Sequence, residues 1–196
     1  MKKITFKEIQ EIEELEKCLI LRYEHFNNSQ YRIFLNGNKS GIDIDEFDKY
    51  SRHWILIDEE NEIIGYARII QKRKNSEIFP LIKQIQRKYS LTNHVNSNKA
   101  ISFPIMTYQT DKSKSSLESF LNTNTEKEAF ELSRFIIKKG SSFRVSKFMV
   151  NAGLSIYKNC FQAEIVILAC IKSHEKFWRR YGFTNIKEEE TYKLDN

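Results

Sequence analysis

G-I-D-I-D-E-F-D-K-Y-S-R-H-W-I-L-I-D-E-E-N-E-I-I-G-Y-A-R-I-I-Q, residues Gly41 to Gln71, is the stretch whose reading decides the fold. It opens with three acids, Asp43, Asp45 and Asp48, set around the aromatic Phe47. An apolar run, His53 to Ile57, leads into the polar stretch Asp58 to Glu62, and a second apolar run, Ile63 to Ile70, follows. Two short runs rich in β-branched residues about a tight polar turn specify a β-hairpin. The second run contains an arginine, Arg68. Strand alternation sets Ile64, Tyr66, Arg68 and Ile70 on one largely apolar face. That arginine lies either on a solvated strand face or in the interior with an anion against it. An unpaired buried charge is costly, and three carboxylates stand just upstream, so the paired, buried placement is expected.

Upstream, Ile9, Ile12, Leu15, Leu19, Tyr23 and Phe26 recur at spacings of three and four, which predicts a helix from about Thr5 to Phe26. Arg22 falls at the edge of this stripe. The simple reading is a snorkelling arginine, its stem packed and its head wet; the alternative turns it inward to bind an acid or a substrate. Asn27 to Ser40, rich in Asn, Gly and Ser around Tyr31 and Phe34, reads as a loop with at most one helical turn.

Downstream, Pro80 in the first turn and Ile82, Ile85 and Tyr89 on one face predict a helix over Ile78 to Tyr89. Residues 90–127 read as a variable excursion with one strand at Ile101 to Met106 and at most one short helix, placed as surface decoration rather than a flap over a site. Glu128 to Lys138 reads as a strand that carries two charges, Glu131 and Arg134, within an apolar run. A short loop, Lys139 to Arg144, then feeds a helix from about Val145 to Asn159. A strand, a Gly/Ser loop and a helix N-terminus form a ready anion site, because free N–H groups and the helix dipole point at the ligand. Gln162 to Ile171 reads as the clearest buried strand, Lys172 to Tyr181 as a short helix, and Gly182-Phe183 as the start of a final strand. The order predicts one α/β domain over residues 1–196, with an antiparallel front half and a β-α-β back half.

The 196 residues suffice for a sizeable core, and 40% apolar with 30% charged content is ordinary for a soluble globular protein. Aromatic richness, with 14 Phe and 9 Tyr, suits either a large core or an apolar ligand pocket. A net charge of +6 favours an acidic partner. Three cysteines without a C-x-x-C pair, an N-terminus without a signal-peptide core and the lack of a membrane-length apolar run together predict a reduced, cytoplasmic protein. The four histidines lie far apart without metal-ligand spacing, so no metal site is expected. The carboxylates remain the candidates for acid/base work. A basic nucleic-acid-binding domain is disfavoured: no recognition motif is present, and the acidic triplet repels phosphate.

Taken together, R-Y-x-x-F at Arg22 to Phe26, D-x-D-x-F-D at Asp43 to Asp48, G-Y-A-R at Gly65 to Arg68, F-P at Phe79-Pro80 and E-L-S-R-F at Glu131 to Phe135 resemble one family in their order. It is the acyl-carrier-protein-dependent branch of the GNAT acyltransferases, which contains the N-acyl amino acid synthases and the acyl-homoserine-lactone synthases. The closing F-W-R-R-Y-G-F, Phe177 to Phe183, is similar to the end of many GNAT domains. The resemblance implies a GNAT-like twisted mixed β-sheet flanked by helices, whose middle strands splay to admit a thioester arm. It implies transfer of an acyl group from an acyl-carrier-protein or coenzyme A thioester to an amine, with no permanently bound cofactor. It assigns Glu131, Arg68 and Arg134 to the catalytic centre, with Glu131 helping to deprotonate the amine. Arg22, Phe26, Asp43, Asp45, Asp48 and Ser133 fall on its substrate side. Gly140, Ser141, Ser142 and Arg144 would hold pantetheine phosphate. Acidic acyl carrier protein is the implied partner, with basic residues at 72–74, 138–144 and 172–180 as its docking patch. Asp43 stands where lactone synthases have Glu, and S-R-H-W after Asp48 leans toward the N-acyl amino acid synthases. An ordinary acetyl-coenzyme A enzyme and a lactone synthase are the alternatives.

Overall fold

The computed structural model describes residues 3–28, 35, 40–71, 79–91, 103–107, 111–170 and 172–186. Its frame is a five-stranded sheet in the order β1-β2-β3-β4-β5. The strands are β1 (Thr5–Glu8), β2 (Ser51–Ile57), β3 (Ile63–Gln71), β4 (Ala129–Ile137) and β5 (Ile165–Ile167). The helices are α1 (Ile12–Asn27), α2 (Pro80–Lys88), α3 (Pro104–Thr107), α4 (Asp111–Thr123), α5 (Phe143–Asn159) and α6 (Lys172–Arg179). The first four strands pair antiparallel and β4 pairs parallel with β5, which makes the sheet mixed.

The expected hairpin is β2 and β3. Its turn is closed by Asp58, whose Oδ1 accepts the N–H groups of Glu60 and Glu62. Alternation along both strands divides the interior into two apolar layers. Ile55 and Tyr66 pack with Leu15, Leu19, Ile82 and Ile85 beneath α1 and α2. Leu56, Ala67 and Ile69 pack with Leu132, Met149, Val150 and Tyr157 beneath α5. Each layer buries branched and aromatic side chains, each worth about 1.5–3 kcal/mol when removed from water.

Four expectations are corrected. The helix placed from Thr5 begins at Ile12, and Thr5 to Glu8 form an edge strand instead. Phe6 stacks on Trp54 at 5.4 Å and Glu8 pairs with Arg52 across the ladder, contacts that outweigh helical spacing in this short run. The strand expected at Ile101 to Met106 is a helical turn over Pro104–Thr107 in its described part, and α4 is a full 13-residue helix. Among its described side chains Leu117 and Leu121, one turn apart, are the buried ones, a signal diluted by the surrounding Ser and Lys. The strand expected over Gln162 to Ile171 is paired only at Ile165–Ile167, because Leu168 and Cys170 leave the sheet to pack in the Trp178 cluster. The expected final strand is not one in Gly182 to Ile186, and its remainder lies outside the described residues, as do Tyr31 and Phe34.

Pairing of β4 with β5 covers only Ala129↔Ile165 to Glu131↔Ile167. Beyond Glu131, β4 continues to Ile137 without that neighbour, so the two strands part where the sheet carries its charged residues. Among the described residues no helix is long and apolar enough to cross a membrane.

Candidate active site

Arg68 lies mid-sheet, opposite His53 on β2 and Ser133 on β4. Its side chain is fully buried and donates from Nε to Ser133 Oγ (2.9 Å) and from Nη1 to Asp45 Oδ1 (2.6 Å) and Asp48 Oδ1 (2.9 Å). The acids arrive on a loop folded by its own polar groups. Asp43 N–H donates to Leu19 carbonyl of α1 (3.0 Å), Asp45 N–H to Asp48 Oδ2 (2.8 Å) and Phe47 N–H to Asp45 Oδ1 (2.9 Å). The two bonds within the loop, typical of Asp in turns, and the tie of Asp43 to α1 aim all three carboxylates inward.

Arg22 meets them from α1. It too is fully buried, with Nη1 and Nη2 forked on Asp48 (2.7 and 3.2 Å) and Nε on Asp43 (3.0 Å). The snorkelling reading of Arg22 is therefore corrected: the carboxylates of the folded loop make the interior the better place for its charge. Arg134 completes the set, its Nε 3.2 Å from Asp43 and its Nη2 3.3 Å from Asp45, with its guanidinium over the Phe26 ring at 4.8 Å. Three arginines thus balance three aspartates. Burial favours neutral Asp48, yet Arg22 and Arg68 hold it far below the usual carboxylate range. Among the described residues no cluster of His, Cys, Asp or Glu is grouped to hold a metal ion.

A bulge brings Arg134 into this group. Tyr66 pairs with Ile136 and Arg68 with Ser133, so two β4 residues, Arg134 and Phe135, stand against Ala67 alone. Arg134 takes φ +52°, a left-handed conformation that costs a non-glycine residue about 1–3 kcal/mol. Its ion pairs hold it there. Such bulges re-aim side chains beside functional sites.

Glu131 sits three residues earlier, at the last paired position before β4 and β5 part. It is only 2% exposed, and its Oε2 accepts the Ile105 N–H at 3.0 Å. Burial pushes its pKa up to about 7, against the Ile105 N–H and the charges of Arg68 and Arg134, which pull down, while Asp45 pushes further up. A carboxyl group that ionises near neutral pH is suited to take and return a proton.

Two residues, His53 and Tyr66, were given no site role by the sequence. His53 Nδ1 accepts from the Tyr66 hydroxyl (2.7 Å), and its Nε2–H donates to the Asp48 carbonyl (3.0 Å). Tyr66 in turn accepts from Arg22 Nη1 at 3.2 Å. Period-2 spacing from buried Ile55 was the available signal for an inward His53. Gly140, Ser141, Ser142 and Arg144 stand apart from the charged group, at the solvent-facing junction of β4 and α5, where Gly140 has φ +91°. Of the expected docking patch, Lys138, Lys139, Arg144, Lys172, Lys176, Arg179 and Arg180 are exposed, and residues 72–74 lie outside the described residues.

Solved structures with this fold include FeeM, an N-acyl amino acid synthase from uncultured soil microbes. It is 13% identical, with 97% of this chain and 83% of that chain covered and a TM-score of 0.51. A tetramutant of the BH1408 protein from Bacillus halodurans has the same identity and TM-score, with coverages of 97% and 99%. A GCN5-related N-acetyltransferase from Ralstonia eutropha is 8% identical, with coverages of 98% and 100% and a TM-score of 0.50. At such identities the likeness speaks for the fold alone. No curated protein sequence matches the chain. The model of the acetyltransferase (GNAT) domain matches residues 21–151, about two thirds of the chain, and with the mixed, splayed sheet this shows that the protein belongs to the GNAT acyltransferase family.

Proposed function

We propose that the protein transfers a long-chain acyl group from an acyl-carrier-protein or coenzyme A thioester to the amine of an amino acid or similar small molecule. The observation that carries this reading is Glu131: a buried carboxyl group, ionising near pH 7, placed where β4 and β5 separate and flanked by Arg68 and Arg134. An ammonium group is not a nucleophile, so the acceptor must first lose a proton. Glu131 takes it, directly or through water. The amine nitrogen then attacks the thioester carbonyl, the C–S bond breaks as the C–N bond forms, and the pantetheine thiol leaves with a proton. Main-chain N–H groups on the part of β4 beyond its pairing with β5 polarise the carbonyl.

Arg134 and the acids Asp43 and Asp45 form the least enclosed side of the charged group and shape the acceptor end. Arg22, Asp48 and Arg68, sealed from water, hold that side in place. The exposed Gly140-to-Arg144 loop at the start of α5 takes the pantetheine phosphate. The exposed basic residues of that loop and of α6 complement an acidic carrier protein.

Two measurements test this. Extracts of a host expressing the protein should contain N-acyl lipids by mass spectrometry; finding none at any acyl length counts against the acceptor and donor named here. Glu131→Gln keeps the shape and removes the base, and should lower turnover about a hundredfold or more at neutral pH. The loss should shrink at high pH, where more acceptor is already a free amine. An intact rate at pH 7 removes Glu131 from the mechanism.

A further inference from the structure

The segment beginning at Phe103 enters the site through its backbone. Phe103 and Ile105 are buried in an apolar cluster with Phe47, Ile70, Leu117 and Ile167. Phe47 lies between Asp45 and Asp48, Ile70 is the cross-strand partner of Glu131 and Ile167 its partner on β5. The cluster therefore packs around the position of Glu131, and Phe103, Ile105, Leu117 and Leu121 belong to it. Pro104 has no N–H and suits the first position of α3, which makes Ile105 the first residue of that turn with a donor to satisfy. Buried donors of this kind are nearly always paired. Glu131 Oε2 is the acceptor, at 3.0 Å.

We propose that the Ile105 main-chain N–H is a positioning group for Glu131. It pins Oε2, fixes the rotation of the carboxylate and leaves Oε1 to take the acceptor's proton. This rests on the reading of Glu131 as the base. It makes the 103–107 segment a working part of the site, where the sequence suggested decoration. The other groups that face Glu131 are Arg68 from β3, Arg134 from β4, Asp45 from the acidic loop and the Tyr157 hydroxyl from α5. Of these only the two arginines favour the ionised carboxylate, so the Ile105 N–H is the neutral donor that helps keep it charged.

The test removes the N–H and leaves the carboxylate. Ile105→Pro does so at a first-turn position where proline is tolerated. Replacing Ile105 with its α-hydroxy analogue exchanges only N–H for an ester oxygen, and serves if the proline variant does not fold. Ile105→Val keeps the donor and trims the side chain. Two readouts are compared: the pH profile of kcat/KM, and the Glu131 titration in the substrate-free protein, followed by carboxyl carbon NMR and assigned against Glu131→Gln. Loss of the donor should raise both the acid limb and the titration midpoint by about one pH unit, while Ile105→Val leaves both in place. An unmoved titration, or an equal shift in Ile105→Val, overturns the positioning role. If Glu131→Gln is fully active, the base reading falls and this role with it. If Glu131→Gln is inactive while the donor-free protein titrates as the parent does, this inference alone fails.

Discussion

Arg68 shows how one residue ties the loop, the sheet and the site together. Its fully buried guanidinium binds Asp45, Asp48 and Ser133, groups from the acidic loop and from β4. Arg68→Ala leaves Asp45 and Asp48 short of a counter-charge in the interior. Breaking one partner of a buried pair costs about 3–5 kcal/mol, so urea unfolding should show a loss of that order together with loss of activity. Arg68→Lys should fall between, because a single ammonium cannot fork to all three partners. A variant that unfolds like the parent would mean that Arg68 contributes no net stability. The burial of Arg68 was legible from strand alternation and the acids upstream. That of Arg22 was not: its partners reach it only after the loop folds over α1, and helical spacing carries no record of a tertiary partner. Residues such as Glu131 and Arg134 stood out as charges inside an apolar run, but the bond from Ile105 to Glu131 is a backbone contact with no side-chain signature.

At the scale of the element, β3 is pressed closely between its neighbours. A Cβ added at Gly65 would lie 2.8 Å from Met149 Sδ on α5, and 3.2 Å from Ile137 Cδ1 and Leu56 Cβ. Glycine here is a packing requirement, since its φ is not among the positive ones. Gly65→Ala should lower stability by about 1–3 kcal/mol, the usual cost of overpacking, and Gly65→Val by more. Thermal melts of Gly65→Ala with and without Met149→Ala check the cause: Met149→Ala costs stability of its own, but Gly65→Ala should cost less in that background than in the parent. If Gly65→Ala melts with the parent, α5 does not lie this close to the sheet. Long, strongly periodic elements such as this hairpin, α2 and α5 were readable from the sequence. β1 and α4 were not. Phe6 gains its strand from stacking on Trp54, and α4 rests on Leu117 and Leu121 meeting Phe47 and Ile70, contacts set by the whole fold rather than by local pattern.

For the whole molecule, two buried groups displaced in opposite directions should shape stability against pH. The neutral His53 ring uses both nitrogens, accepting from Tyr66 and donating to Asp48. Burial lowers its pKa to about 4, from an ordinary 6.5. The unfolded chain therefore takes up this proton first, and the stabilisation from His53, full above pH 6.5, is lost as pH falls toward 4. Glu131 is raised to about 7 from 4.5. Its stabilisation is full below pH 4.5 and is lost as pH rises through 7. Each displacement is about 2.5 pH units, or about 3 kcal/mol at about 1.4 kcal/mol per unit. Between about pH 4.5 and 6.5 the folded state holds one proton more at Glu131 and one fewer at His53, so these two slopes oppose each other and mask one another in the parent protein. His25 is displaced in the same direction as His53 and adds to the His53 slope. Single substitutions should expose the hidden terms. In Glu131→Gln, stability should climb with pH across this window, by about 1.4 kcal/mol per unit. In His53→Gln, whatever its overall loss, it should fall with pH, less steeply because His25 opposes Glu131 there. Urea midpoints at half-unit steps from pH 4 to 7.5 read both slopes. Slopes of the same sign in the two variants would mean that the buried pair does not hold its protons as this geometry requires.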